Sequence, residues 1–168
     1  MGLQEMFALR GKTARRIGED RTAIYEQVYR ELSAKVGDGA LPSHPDYLGG
    51  NELAMNIYRK KYYVKDLNGR AVEQRPEDVF IRLASFLAST EETAELRTLW
   101  SESFYRMLFD GQFISGGRVL AGAGDLYRMK TLANCFVTTI KEDNIESIYQ
   151  AAYECARTYS YGGGIGVD

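Results

Sequence analysis

The last quarter of the chain reads strand, helix, glycine run, strand, and that order constrains the fold more than any other feature. "TLANCFVTTI" (131–140) has the β-branched and aromatic content of a strand. "DNIESIYQAAYECARTYSY" (143–161) has helical periodicity, with Ile145, Ile148, Tyr149, Ala152, Cys155 and Ala156 on one face. "GGGIG" (162–166) ends that helix, and "IGVD" opens a second strand. Strand, helix and strand joined by a tight turn predict a βαβ unit, the opening of an α/β layer. A dinucleotide fingerprint is excluded by context, because it needs its glycines between a strand and the following helix. A P-loop is excluded because no Gly-Lys-Ser/Thr follows either glycine run.

One glycine suffices for a helix C-cap, where positive φ is needed. Four in five positions leave two readings open: a cap with tight packing, or a turn that brings backbone amides to a ligand. "SGGRVLAGAG" (Ser115 to Gly124) poses the same choice, as a loose loop or as a second backbone cradle with Arg118 as an anion partner. The stretch from Gln112 onward is short on helix signals.

Upstream the chain is predicted to be helical. "TAIYEQVYRELSAKV" repeats Ile24, Val28, Leu32 and Val36 every four residues. "GDGALPSHPDYLGG" breaks that helix, so residues 1–45 read as a helical extension before the main body. "NELAMNIYRKKYYV" is a helix capped by Asn51 that runs into an extended piece, and Asn68-Gly69 marks a turn. Pro76 starts the next helix, with Glu77 and Asp78 at its positive end and Val79, Phe80, Leu83, Phe86 and Leu87 as its apolar stripe. A further helix ends at Gly111, closing a helical region over 46–111; residues 112–168 form the α/β part.

A net charge of −2 implies no general pull toward nucleic acid or anionic membrane. The local cluster Arg10, Lys12, Arg15, Arg16 and Arg21 reads as a solvated helix face or arm. No apolar run approaches the ~20 residues that span a bilayer, and no signal peptide is visible, so a cytoplasmic protein is expected. Cys135 and Cys155 are then reduced thiols. With His44 as the sole histidine and no C-x-x-C, a zinc site lacks ligands. Cys135 lies mid-strand, as a small buried hydrophobe or as a reactive thiol; spacing does not choose.

"ISGGRVLAGAG", "LANCFV", "DNIESI" and "GGGIGVD", in that order, resemble the start of the catalytic barrel of ribonucleotide reductase large subunits. "NELAMNIYRKKYYVKDLNGRAVEQRPEDVFIRLASFLA" resembles the helical segment that precedes it. The resemblance covers residues 50–168 and is greatest to the class II, adenosylcobalamin-dependent branch. It implies an α/β fold (α+β for these residues alone) in which a helical region leads into the first strand-helix-strand of a ten-stranded barrel.

It also implies roles. Cys135 matches one cysteine of a redox pair that becomes a disulfide as the ribose is reduced; its partner lies beyond Asp168, so Cys155 does not fill that place. Asn134, and Gly163 and Gly164 through their backbone, match substrate contacts. Ser115, Gly116 and Gly117 match the loop that receives the substrate phosphates. Asp143 matches the acidic residue on the deoxynucleoside triphosphate effector, although Asp143-x-x-Glu146 also reads as a capping box. The helix after it matches a subunit interface of homodimeric relatives.

The radical cysteine, its acid/base neighbours and the cobalamin site would lie beyond Asp168. The resemblance therefore implies a chain inactive alone and completed by a C-terminal remainder, whether as a split enzyme, an interrupted gene product or a truncated one. A thioredoxin-like dithiol would recycle Cys135. The competing readings are a non-catalytic nucleotide-binding or docking module, and a helical domain with a disordered glycine-rich end.

Overall fold

The computed structural model describes residues 19–168. Of the basic cluster, Arg10, Lys12, Arg15 and Arg16 lie outside the described residues, as does most of the stretch before Thr22. The elements run α1 (Glu19–Gly37), α2 (Glu52–Ile57), one π-helical turn (Tyr58–Tyr62), α3 (Pro76–Ala88), α4 (Ala94–Phe109), α5 (Gly117–Gly122), β1 (Cys135–Thr138), α6 (Ile145–Ser160) and β2 (Gly164–Val167).

Local chemistry sets the boundaries. Asn51 caps α2 by accepting the Ala54 N–H, and Thr93 caps α4 by accepting that of Leu96. Pro76 occupies the first turn of α3, while the Asp78 carboxylate accepts the N–H groups of Gln74 and Arg75. Helix α4 ends in a Schellman motif: Gly111 has φ +68°, and Gln112 N–H returns to Met107 C=O. Gly69 (φ +82°) turns the chain between Lys65 and Ala71, which form an antiparallel bridge around the Asp66 carboxylate.

One core runs through all three stretches that composition separates. Tyr25, Tyr29, Leu32 and Val36 of α1 pack with Val79, Phe80, Leu83 and Ala84 of α3 and with Tyr105 and Leu108 of α4. Leu120, Ala123, Leu126 and Tyr127, from beyond Gly111, join the same cluster. Helix α1 and Leu41 after it therefore pack into the body, and the chain turns near residue 45 without a break in the core. The glycine-rich stretch, expected to lack helix, contains α5, because Leu120 and Ala123 have an apolar body to dock on.

β1 and β2 pair in parallel, Cys135 beside Gly164 and Val137 beside Gly166, with α6 as the crossover between them. This is the βαβ unit expected from the sequence. The face of α6 that packs is not the expected one. Ala151 is its only buried residue, with Glu154, Cys155 and Thr158 half-buried beside it, while Ile145, Ile148 and Tyr149 are exposed. Tyrosines on several sides of α6 blur the apolar stripe, so periodicity alone selects the wrong side. Among the described residues no helix is long and apolar enough to cross a membrane.

Candidate functional site: the strand-helix-strand unit

Side chains alternate across a strand, so contacts of two residues orient the whole of β1. The Phe136 ring lies against Gly163 at the end of α6, and the Thr138 hydroxyl donates to the Glu154 carboxylate of α6. Phe136 and Thr138 therefore face the helix. Cys135 and Val137 face the other way, and both are exposed, Val137 to 78%. That bond from Thr138, then one from Gln150, holds the Glu154 pKa below its ordinary value.

The four glycines of the run divide among three jobs. Gly162 (φ +83°) and Gly163 form a Schellman cap: Gly162 N–H returns to Tyr159 C=O and Gly163 N–H to Thr158 C=O. Gly163 also permits close packing, since a Cβ there would lie 2.8 Å from both Phe136 and Thr158. Gly164 and Gly166 are register partners of Cys135 and Val137, so they share the open face of the sheet. A Cβ at Gly166 would meet nothing within 4 Å, and one at Gly164 only the Asn134 carbonyl at 3.5 Å. These two glycines thus leave a bare backbone floor beside the Cys135 thiol. The cap-and-packing reading describes Gly162 and Gly163; Gly164 and Gly166 leave open backbone.

A test follows from that division. Gly163→Ala is expected to cost about 1–3 kcal/mol through overpacking. Gly166→Ala, in open space, should change stability by no more than about 0.5 kcal/mol. Urea unfolding of the two variants measures the difference, and equal costs would refute the division.

The structure brings Asn134, Cys135, Gly163 and Gly164 together; Asn134 C=O accepts the Gly164 N–H at 2.9 Å. Cys155 is half-buried on α6, behind the sheet from Cys135, so the two thiols do not meet. Ser115, Gly116 and Gly117 belong to the helical body. Gly116 and Gly117 open α5, and Gly117 lies under the Tyr62 ring of the π-helical turn. The Ser115 hydroxyl is buried without a hydrogen-bond partner, in a depression of ≈ 250 Å³ walled by Leu83, Phe104, Met107 and Phe113.

Asp143 is exposed at the end of α6 remote from the glycine turn. The capping-box reading of Asp143 is corrected. Asn144 caps α6 by accepting the Ser147 N–H at 2.8 Å, and the Ser147 hydroxyl accepts the N–H groups of Lys141 and Glu142. Asparagine is as good a cap as aspartate, and the cap sits one residue later than expected. Sequence reasoning missed the cavity behind β1, whose signal was Arg157 and Thr158 on the last turn of α6 with Tyr161 just after it. It also missed Arg82, which is buried in α3 and fixes the position of α5.

Residues 49–128 match the family model described as "Ribonucleotide reductase, all-alpha domain". The ribonucleoside-diphosphate reductase large subunit of Danio rerio is 29% identical over 108 residues, 64% of this chain and 12% of that protein. The large chain of Encephalitozoon cuniculi is 29% identical over 156 residues, 86% of this chain and 19% of its own length.

The chain is homologous to the N-terminal region of ribonucleotide reductase large subunits. The Arabidopsis thaliana large subunit adds a match of 29% over 73% of this chain and 13% of that protein. These homologues are oxidoreductases, and the chain spans less than a fifth of the length of each of the three. Nothing among them points to the class II branch.

Proposed function

We propose that this chain supplies the N-terminal part of a ribonucleotide reductase catalytic subunit. In that reading the helical body and the βαβ unit open a ten-stranded α/β barrel, and a C-terminal remainder completes it. The observation that carries the reading is the placement of Cys135. Its thiol stands on the open face of β1, beside the bare backbone of Gly164, in a chain homologous to the N-terminal region of these reductases.

The ribose of a ribonucleotide would lie on that floor. Asn134, Gly163 and Gly164 would contact it, and Ser115, Gly116 and Gly117 would receive its phosphates. Asp143 would meet a deoxynucleoside triphosphate effector, and α6 would face a second subunit with its exposed Ile145, Ile148 and Tyr149. The 2′-hydroxyl leaves as water while two thiols, Cys135 and one from the remainder, close to a disulfide. A thioredoxin-like dithiol then returns both to thiols. The relatives are named for the reduction of ribonucleoside diphosphates, which favours a nucleoside diphosphate as substrate; a cytoplasmic enzyme that starts deoxynucleotide synthesis belongs to the same proposal.

Adenosylcobalamin belongs to the class II form of this reading. It would supply the radical that the reaction needs. The described residues do not fit it: the cavity of ≈ 340 Å³ behind β1 lies away from Cys135 and suits one small ring. No step here is routed through the cofactor. The alternative is a nucleotide-binding or docking module of the same fold, favoured by the exposed apolar face of α6.

The deciding experiment mixes the chain with the C-terminal remainder of a reductase, a ribonucleoside diphosphate and a dithiol. It is run once with adenosylcobalamin and once with a class I radical-generating subunit. Deoxynucleotide formation in either arm supports the reading and fixes the class. Stable assembly without product in both arms would leave the docking module.

A further inference from the structure

The cavity behind β1 has no part in the proposed reductase role. It lies at the seam between the helical body and the βαβ unit, where few contacts join the two. Thr131 N–H donates to Tyr161 C=O at 3.3 Å, linking the segment after α5 to the last turn of α6. Between them opens a volume of ≈ 340 Å³ lined by Lys130, Thr131, Phe136, Arg157, Thr158 and Tyr161.

The lining has two chemistries. Phe136 and Tyr161 offer aromatic surface, which suits a flat apolar body. Lys130 and Arg157 offer cations, and their states differ. Lys130 is already matched, by the Asp125 carboxylate at 2.9 Å and the Ala121 carbonyl at 2.8 Å. Arg157 is not matched. Its guanidinium gives one N–H to the Tyr161 hydroxyl at 2.5 Å and lies 5.0 Å from the centre of that ring, and no carboxylate pairs with it among the described residues. The Tyr161 hydroxyl holds one end of the guanidinium, and the remaining donors are free for an oxyanion.

A second unmatched cation stands at the rim. Arg118 of α5 occupies the space that a Cβ of Gly162 would fill, 2.7 Å from its Nη1, and has no carboxylate partner among the described residues. On α6, the Glu154 carboxylate is engaged by Thr138 and Gln150. The seam is therefore net positive around an aromatic-walled hollow.

We infer that this cavity binds a small planar aromatic anion, a ring carrying one phosphate or carboxylate group, with Arg157 as its oxyanion partner and Phe136 and Tyr161 against its ring. Such a ligand bridges Lys130 of the body to Arg157 of α6 and tightens the seam.

The test titrates the ¹⁵N-labelled 168-residue chain with phenyl phosphate, benzoate, inorganic phosphate and benzyl alcohol. Phenyl phosphate or benzoate should bind saturably, shifting the amides of Thr131, Tyr161 and Gly162, and the tighter of the two identifies the oxyanion group. Arg157→Gln should weaken that binding about tenfold or more, since it removes a charged bidentate partner. Arg157→Lys, which keeps the charge and loses the fork, should recover only part. Lys61→Gln, on the exposed π-helical turn, should have no effect. Bound ligand should also slow hydrogen exchange at the Thr131 amide. The inference is overturned if neither aryl anion saturates, if inorganic phosphate or benzyl alcohol binds as tightly, or if R157Q binds unchanged.

Discussion

Arg82→Met is expected to lower the unfolding free energy by about 3–5 kcal/mol, because it leaves a buried carboxylate without its partner. Arg82 is 2% exposed and Glu73 4%. Their ion pair measures 2.6 Å, and Arg82 also donates to the carbonyls of Leu120 (2.8 Å), Tyr62 (3.2 Å) and Ala123. Burial works against the charge, but the charge and hydrogen bond of Glu73 outweigh it, and the Arg82 pKa is raised. The surface pair Lys35–Glu102, at 2.5 Å, is the comparison; Lys35→Met should cost no more than about 1 kcal/mol. Urea unfolding followed by circular dichroism measures both. Arg82→Met with Glu73→Leu should recover part of the loss, since no lone charge then stays buried. Equal costs for R82M and K35M would show that the buried pair adds nothing beyond a surface one.

The consequence reaches the candidate site. The three carbonyls that Arg82 holds belong to the π-helical turn, to α5 and to the residue after α5. α5 begins at the Gly116-Gly117 pair, and the chain leaving it leads to β1. Arg82 is thus a peg that sets where the two halves of the proposed substrate surface stand. Gly124 is fitted to the same peg: it has φ +74°, and a Cβ there would lie 2.8 Å from Arg82 and from the Tyr25 hydroxyl.

Much of this architecture is legible in the sequence because local signals dominate it. Asn51, Pro76, Asn68-Gly69 and Gly111 each mark a boundary that the fold respects, through caps and positive φ that only a few residues supply. The parallel pairing follows from strand-helix-strand order. What is hidden depends on partners distant in the chain. Arg82 sits inside an apolar helix and reads as its polar side, yet α1, α4 and α5 enclose α3, so the charge is interior. Cys135 reads as mid-strand, but period two says only which residues share a face, not which face meets the helix. Phe136 against Gly163 and Thr138 on Glu154 decide that.

Cys135→Ser carries the largest expected effect on activity. In the completed enzyme the dithiol-driven turnover should fall by about 10²-fold or more, with substrate affinity changed little, because the interaction lost belongs to the chemical step. Serine keeps the size and polarity of the side chain and cannot close a disulfide. Cys155→Ser should leave turnover intact. Cys155 lies on α6 behind the sheet, and a disulfide needs Cβ atoms about 3.5–4.5 Å apart, which opposite faces of a strand do not allow. The two serine variants therefore separate a redox role from a general need for thiols. Steady-state turnover with a dithiol, set beside the dissociation constant for the ribonucleotide, reads both quantities. Retained turnover in C135S would remove Cys135 from the redox pair, and a loss of equal size in C155S would mean that packing of the βαβ unit, not thiol chemistry, is what both substitutions disturb.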